Sequence, residues 1–131
     1  MLLPNEGLID DLDTLSASQT VYVHLISEIY VLAATMTPAS VTEASYPGYA
    51  AQIASGWTPA TMVGVQAKTS ADPLQFLRSA GSGGDSIWGY WMSDGATGPI
   101  VGISDPLTVP LSLLVAGDQV IVIPRRSLGP C

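Results

Sequence analysis

The chain contains one histidine, His24, the side chain best suited to acid–base chemistry or metal binding near neutral pH. It lies in the run Thr20–Ile26, whose β-branched and aromatic residues predict a strand. A zinc site would need cysteines or well-placed carboxylates around it, and the only cysteine is Cys131, the last residue printed. We therefore predict a half-buried or interface histidine, with no metal and no cofactor.

The serines and aspartates do not form a catalytic pattern either. No G-x-S-x-G motif is present, and the glycine-flanked Ser82 falls in Ser79–Asp85, which predicts a flexible loop. A phosphate-binding loop would need a following lysine and a helix, whereas Asp85 and a predicted strand follow here. Most aspartates stand beside glycine, proline or serine, as turn residues do. The sequence predicts no enzyme activity.

The aromatic residues carry more information. In the predicted strand Ile87–Ser93, alternation places Trp88, Tyr90 and Met92 on one face and Ile87 and Trp91 on the other. Both faces are apolar, so the second face needs cover from a loop, a helix or a neighbouring subunit. We predict that Trp88, Tyr90 and Met92 form an interface.

Two kinds of element must position these residues. Leu8, Leu12 and Leu15 recur at helical spacing within residues 1–16. A helix of this length is not stable alone, so it must dock on its own β-domain or on another chain, and its three leucines are predicted interface residues. The remainder predicts six to eight short strands, separated by many of the ten prolines and thirteen glycines. Extended segments are predicted at Thr20–Ile26, Val41–Ile53, Met62–Ala67, Leu74–Arg78, Ile87–Ser93, Pro99–Ile103, Pro106–Val109, Leu111–Val115 and Gln119–Ile123.

The predicted fold class is all-β. We expect a single-domain β-sandwich or jelly roll over residues 17–124, preceded by the short N-terminal helix and followed by a C-terminal tail at 125–131. The first residues lack a basic region and a long apolar run, so no signal peptide is expected. No apolar stretch reaches the length of a transmembrane helix.

Charge and hydrophobicity limit the possible partners. Only 11% of the 131 residues are charged and 47% are hydrophobic, against roughly 25% charged in typical domains. Such a surface predicts burial against partners, and we expect a homo-oligomer, with a trimer as the leading form. The net charge of −7 argues against binding to nucleic acid or to an anionic membrane.

Several motifs together resemble a known group of proteins. They are Leu3-Pro4-Asn5-Glu6-Gly7-Leu8, the Val21–Leu25 strand, Thr42-Glu43-Ala44-Ser45-Tyr46-Pro47-Gly48-Tyr49, the lone Trp57, Gly89–Asp94, and Leu111–Ile123 with Ala116-Gly117-Asp118. The chain resembles small virion proteins of tailed bacteriophages that begin with an LPNEGL-type motif. The resemblance spans nearly the whole chain, although Arg125–Cys131 is not part of it.

The resemblance implies a structural role in the virion and supplies no catalytic residues. The expected function is a capsid decoration, or cement, protein that is made in the host cytoplasm, binds the major capsid protein on the outer head surface and stabilises the shell. The alternative is a tail or head-fibre module that binds a host glycan.

Overall fold

The computed structural model describes residues 5–128, without the side chains of Asn5 and Ser82. Residues 1–4, which open the LPNEGL motif, and residues 129–131, which include Cys131, lie outside the described part. The elements are one helix, α1 (Asn5–Ser18), one short 3-10 helix (Pro38–Ser40), and strands β1 (Val21–Ile26), β2 (Gln52–Ile53), β3 (Thr61–Val63), β4 (Gln66–Ser70), β5 (Leu74–Leu77), β6 (Ser82–Ile87), β7 (Gly89–Asp94), β8 (Ile100–Ile103), β9 (Leu111–Val115), β10 (Gln119–Val122) and β11 (Arg125–Leu128).

The strands of residues 5–128 form four small antiparallel sheets. Their strand orders are β2-β1-β7-β8, β11-β4-β3, β10-β5 and β6-β9. The prediction of the all-β class with a short N-terminal helix is confirmed. No helix among the described residues is long and apolar enough to cross a membrane.

The central core lies between the first of these sheets and the two-stranded sheets. Val21, Val23 and Leu25 are fully buried and point into it from β1. Phe76 and Val120 enter from β5 and β10, and buried residues of β6 and β9 complete the core. His24 and Ile26 lie on the opposite face of β1, which contacts Trp91.

That opposite face is covered by the segment from residue 27 to residue 42. Tyr30 is buried there with Ile26 and Trp91. Its hydroxyl donates to the Ser104 carbonyl oxygen at 2.8 Å. A Cβ atom at Gly89 would collide with this hydroxyl, so the close approach of Tyr30 to β7 requires glycine. The second apolar face of β7 is therefore covered within the chain by a loop.

The third region of packing joins α1 to the sheet of β3, β4 and β11. Leu8 and Leu12 are buried with Ala60 and Ala67, and Met62 packs beside them. Asp13 strengthens the contact, since its Oδ1 accepts the backbone N–H of Ala60 at 2.8 Å. Helix α1 is thus an integral layer of the protomer.

Three sequence predictions are corrected by strand pairing. The predicted flexible loop at 79–85 contains the start of β6, which pairs with β9. The predicted tail contains β11, which pairs with β4. The single strand predicted at Met62–Ala67 is a hairpin, because Gly64 adopts φ +64° in a two-residue loop between β3 and β4. In each case a distant partner or one glycine dihedral decides the structure.

The strand predicted at Ile87–Ser93 is interrupted at Trp88. Its first part pairs with β9 and its second part with β1. The interruption changes which side chains share a face: Trp88 packs with Trp91, whereas Ile87 joins Met92 in the central core. The prediction that Trp88 and Trp91 lie on opposite faces is wrong, because alternation does not continue through the break. The strand predicted at Pro99–Ile103 contains β8, which pairs with β7 as a hairpin with a register shift between Met92 and Ser93.

Candidate interaction surface

The six residues predicted to form an interface do not form one surface. Leu8 and Leu12 are about 1% and 2% exposed in the α1 contact, and Met92 is 3% exposed in the central core. These three side chains are buried within their own protomer and present no apolar area to a partner. The prediction that Leu8, Leu12 and Met92 form an interface is therefore wrong, because all three are core residues of the protomer.

The other three predicted interface residues keep some exposure, but they lie apart. Leu15 is 37% exposed near the end of α1. Tyr90 and Trp88 are half-buried and belong to different apolar clusters. Their assignment to an interface stays a prediction.

A larger exposed apolar surface occurs on β9, β10 and the segment before them. Val109 is 74% exposed and Ile121 is 59% exposed. Leu107, Leu111, Leu114, Val115 and Ile123 are also exposed, and Leu77 of β5 lies opposite Gln119 of β10. We call this set of side chains, with Val109 and Ile121, the β9–β10 surface. Sequence reasoning identified these strands but not the exposure of their apolar side chains.

A groove of about 330 Å³ runs along the β9–β10 surface. Leu107, Leu111, Ile121 and Ile123 line it, and Tyr90 contributes to its wall. Asp105 and Arg125 also line this groove. Exposed apolar side chains around a groove are typical of surfaces that bind another protein.

A second exposed apolar set lies in the loop that covers the outer face of β1 and β7. Ile29 is 71% exposed and Val31 is 85% exposed, on either side of the buried Tyr30. The tyrosine fixes the loop to the sheet, so its neighbours are held outward in a defined position.

The buried side chain of His24 is the centre of a polar network that extends to the exposed Glu43. Its Nε2 lies 2.8 Å from Ser93 Oγ and its Nδ1 lies 3.1 Å from Glu43 Oε2. Its ring stacks on Trp91 with centroids 4.4 Å apart. A serine, a histidine and an acid in this order resemble a catalytic triad in composition, so the direction of each hydrogen bond decides what the group can do.

The hydrogen bonds give the network a structural role. Ser93 Oγ donates to the Gly95 carbonyl oxygen at 2.7 Å, so the histidine must donate its Nε2 proton to the serine. Glu43 also accepts from Tyr49 Oη at 2.6 Å, and burial together with this bond to Glu43 raises the pKa of that phenol. Ser93 is 1% exposed. A nucleophilic serine would have to give its proton to the histidine, and here its proton is committed elsewhere.

Sequence reasoning also missed a partly buried ion pair between Arg78 and Asp85 of β6. Arg78 is 4% exposed and its guanidinium contacts the Asp85 carboxylate. The same guanidinium donates to the carbonyl oxygens of Ala80 at 3.2 Å and Leu113 at 3.3 Å. The pair joins the predicted loop to β9, which explains why this glycine-rich segment is ordered as a strand.

Within residues 5–128, no group of three or more histidine, cysteine, aspartate or glutamate side chains is arranged to hold a metal ion. Comparison of the chain with protein-family models, with curated proteins and with solved structures gives no significant match.

Proposed function

We propose that the chain is a structural protein of a tailed bacteriophage virion. It decorates the outer surface of the head by binding the major capsid protein, and it stabilises the shell without catalysing a reaction. The proposal rests on the sequence motifs given above and on one structural observation, the exposed β9–β10 surface. A protomer with so few charges and so much exposed apolar area gains stability when a partner covers that area.

Two finer features belong to this proposal. The core between the larger sheet and the two-stranded sheets supports a β-sandwich of the jelly-roll kind, and the protomers associate as a homo-oligomer, for which we favour a trimer. The net charge of −7 supports a position on the outside of the head, because an acidic protein is repelled by packaged DNA.

Virions with and without the protein distinguish this function from the alternative of a glycan-binding fibre. Both particles are heated or treated with a chelator, and DNA release and adsorption to cells are measured. A decoration protein predicts earlier DNA release in its absence with normal adsorption. Unchanged particle stability with lost adsorption would overturn the proposal in favour of the fibre module.

A variant tests whether the β9–β10 surface makes the contact. Ile121→Asp introduces a negative charge into the largely apolar groove. Because this charge would have to be buried in the contact, we expect the variant to bind more weakly than the unmodified protein to phage heads prepared without it. Gln66→Asp is the matched control, because Gln66 is also exposed on a strand but lies in the β3-β4-β11 sheet. Equal binding of the two variants, both with the melting temperature of the unmodified protein, would exclude this surface from the contact.

A further inference from the structure

The positive charges of this acidic protein are concentrated on two neighbouring strands. The chain has four lysine and arginine residues against eleven acidic ones. Arg78 is used in the partly buried pair with Asp85. The other three are Lys68 on β4 and Arg125 and Arg126 on β11, and none of them forms a salt bridge within the described residues.

The register of the sheet places two of these cations, Lys68 and Arg125, beside serine and threonine residues of the neighbouring strands. Lys68 of β4 lies opposite Ser127 of β11 on one side and opposite Thr61 of β3 on the other. Arg125 lies opposite Ser70. Residues directly opposite in antiparallel strands share a face, and Lys68, Arg125, Ser127 and Thr61 are exposed. The two cations are diagonal neighbours, about 7–8 Å apart at the backbone.

This face holds a depression of about 420 Å³, within the range of small-ligand sites. Its lining consists of the three cations and five serine or threonine residues, and no acidic residue of the described part of the chain contributes to it. Thr58 at its rim is held in place, since its N–H donates to the Ser70 carbonyl oxygen at 2.8 Å and its Oγ1 accepts the Ser70 N–H at 3.2 Å. The hydroxyl groups are thus presented on a fixed backbone.

Arg126 adds positive charge, and no acidic side chain within residues 5–128 forms a salt bridge with it. Its guanidinium carbon lies 6.0 Å from the centroid of the Trp57 ring, and its Nη1 is buried without a hydrogen-bond partner among the described residues. Burial lowers its pKa, while the more distant Asp94 opposes this effect. A half-buried arginine beside the depression strengthens the positive potential there.

We propose that this face of the β3-β4-β11 sheet binds an oxyanion of the phosphate or sulfate type, either free or carried as an ester on a sugar. Lys68 and Arg125 supply charge-assisted hydrogen bonds from two sides, and the exposed hydroxyls of Thr61 and Ser127 donate to the remaining oxygens. The remaining surface of this acidic protein repels anions, so we expect anions to bind at this face and not elsewhere on the protein. The inference is independent of the proposed function.

Titration followed by NMR chemical shifts tests the proposal. The probes are inorganic phosphate, sulfate, glucose 6-phosphate and glucose, at constant ionic strength so that general screening does not change. We expect saturable shifts at β4 and β11 with the anionic probes and none with glucose. Tighter binding of glucose 6-phosphate than of phosphate would identify an ester site, and equal binding would identify a site for the free anion. The absence of saturable shifts at β4 and β11 would overturn the proposal.

Paired variants separate a built site from general attraction. Lys68→Gln with Arg125→Gln removes both exposed cations, and we expect affinity for the anionic probes to fall about tenfold or more. Lys68→Arg keeps the charge and should retain binding. If the double variant melts like the unmodified protein and binds phosphate equally well, the assignment of these residues is wrong.

Discussion

At the scale of single residues, the His24 network is defined by where each proton goes. Ser93 has one hydroxyl proton, and the Gly95 carbonyl oxygen accepts it. The oxygen of Ser93 then accepts from His24, while the other ring nitrogen faces the Glu43 carboxylate. The His24 ring therefore links β7 to the segment at residue 43 through one contact at each ring nitrogen.

Removing the Ser93 hydroxyl should destabilise the fold. Ser93→Ala leaves a buried His24 N–H and the Gly95 carbonyl oxygen without this partner, so we expect a loss of about 1–3 kcal/mol in the free energy of unfolding. Urea denaturation measures it. Ser112→Ala, at an exposed position on β9, is the control and should change the free energy little. An equal effect of the two substitutions would show that the network does not contribute to stability.

Asp118 should give the protein a measurable acid dependence. Its Oδ2 accepts the backbone N–H groups of Leu114 at 2.8 Å and Val115 at 3.1 Å, and these bonds lower its pKa. A lowered pKa in the folded state means that the carboxylate stabilises the fold above the unfolded-state pKa of about 3.9. This contribution is lost as the pH falls through the folded-state pKa.

The measurement compares Asp118→Ala with the unmodified protein by urea denaturation from neutral pH to strong acid. We expect the variant to be less stable at neutral pH and the two curves to converge in acid, below about pH 4. Asp10→Ala, on an exposed position of α1, is the control. A difference that stays constant across this range would contradict the assigned role of the carboxylate.

At the scale of elements, α1 behaves as part of the core. Leu8→Ala or Leu12→Ala should each reduce the free energy of unfolding by about 2–5 kcal/mol, because each empties a filled site against Ala60 and Ala67. Leu15→Ala is the matched control on the same helix, where 37% exposure predicts a small effect. Thermal melting and sedimentation are measured together. Loss of assembly without loss of protomer stability in the Leu8 variant would restore its role as an interface residue.

The same scale shows why β6 and β7 carry different partners. Trp88 lies between the two strands in the sequence. Its backbone N–H donates to the Ile26 carbonyl oxygen at 2.8 Å, although the paired residues of β1 and β7 end with Ile26 opposite Gly89. The break lets Ile87 enter the central core while Trp88 packs with Trp91 on the covered outer face. The single interruption at Trp88 therefore supplies side chains both to the central core and to the covered outer face.

At the scale of the whole molecule, the balance of apolar and charged surface predicts how the protein assembles. The purified protein at micromolar concentration should sediment as an oligomer, since the β9–β10 surface gains from being covered. The assembly should persist between about 0.1 and 1 M NaCl, because few ion pairs are available for salt to screen. A clean 13.6 kDa monomer in sedimentation would contradict both statements.

Local sequence patterns determined several elements correctly. β-Branched and aromatic residues identified β1, the extended segments Ile87–Ser93 and Pro99–Ile103 identified β7 and β8, and leucine spacing identified α1. These features depend on neighbours within a few residues, so backbone geometry and turn chemistry are sufficient to specify them. The spacing of Leu8 and Leu12 showed that they must be covered, but it left the covering surface open.

Tertiary structure alone decided which distant segments meet. Nothing local to residues 125–128 shows that they pair with β4, or that Ser93 lies beside His24, 69 positions earlier. Such contacts depend on which of many apolar faces and strand edges pack against each other. The whole chain determines this packing, because the core must be buried and the backbone hydrogen bonds must be formed in the same structure. The apolar content of β9 and β10 was therefore visible in the sequence, whereas their exposure, and the gathering of three cations on β4 and β11, came only from the fold.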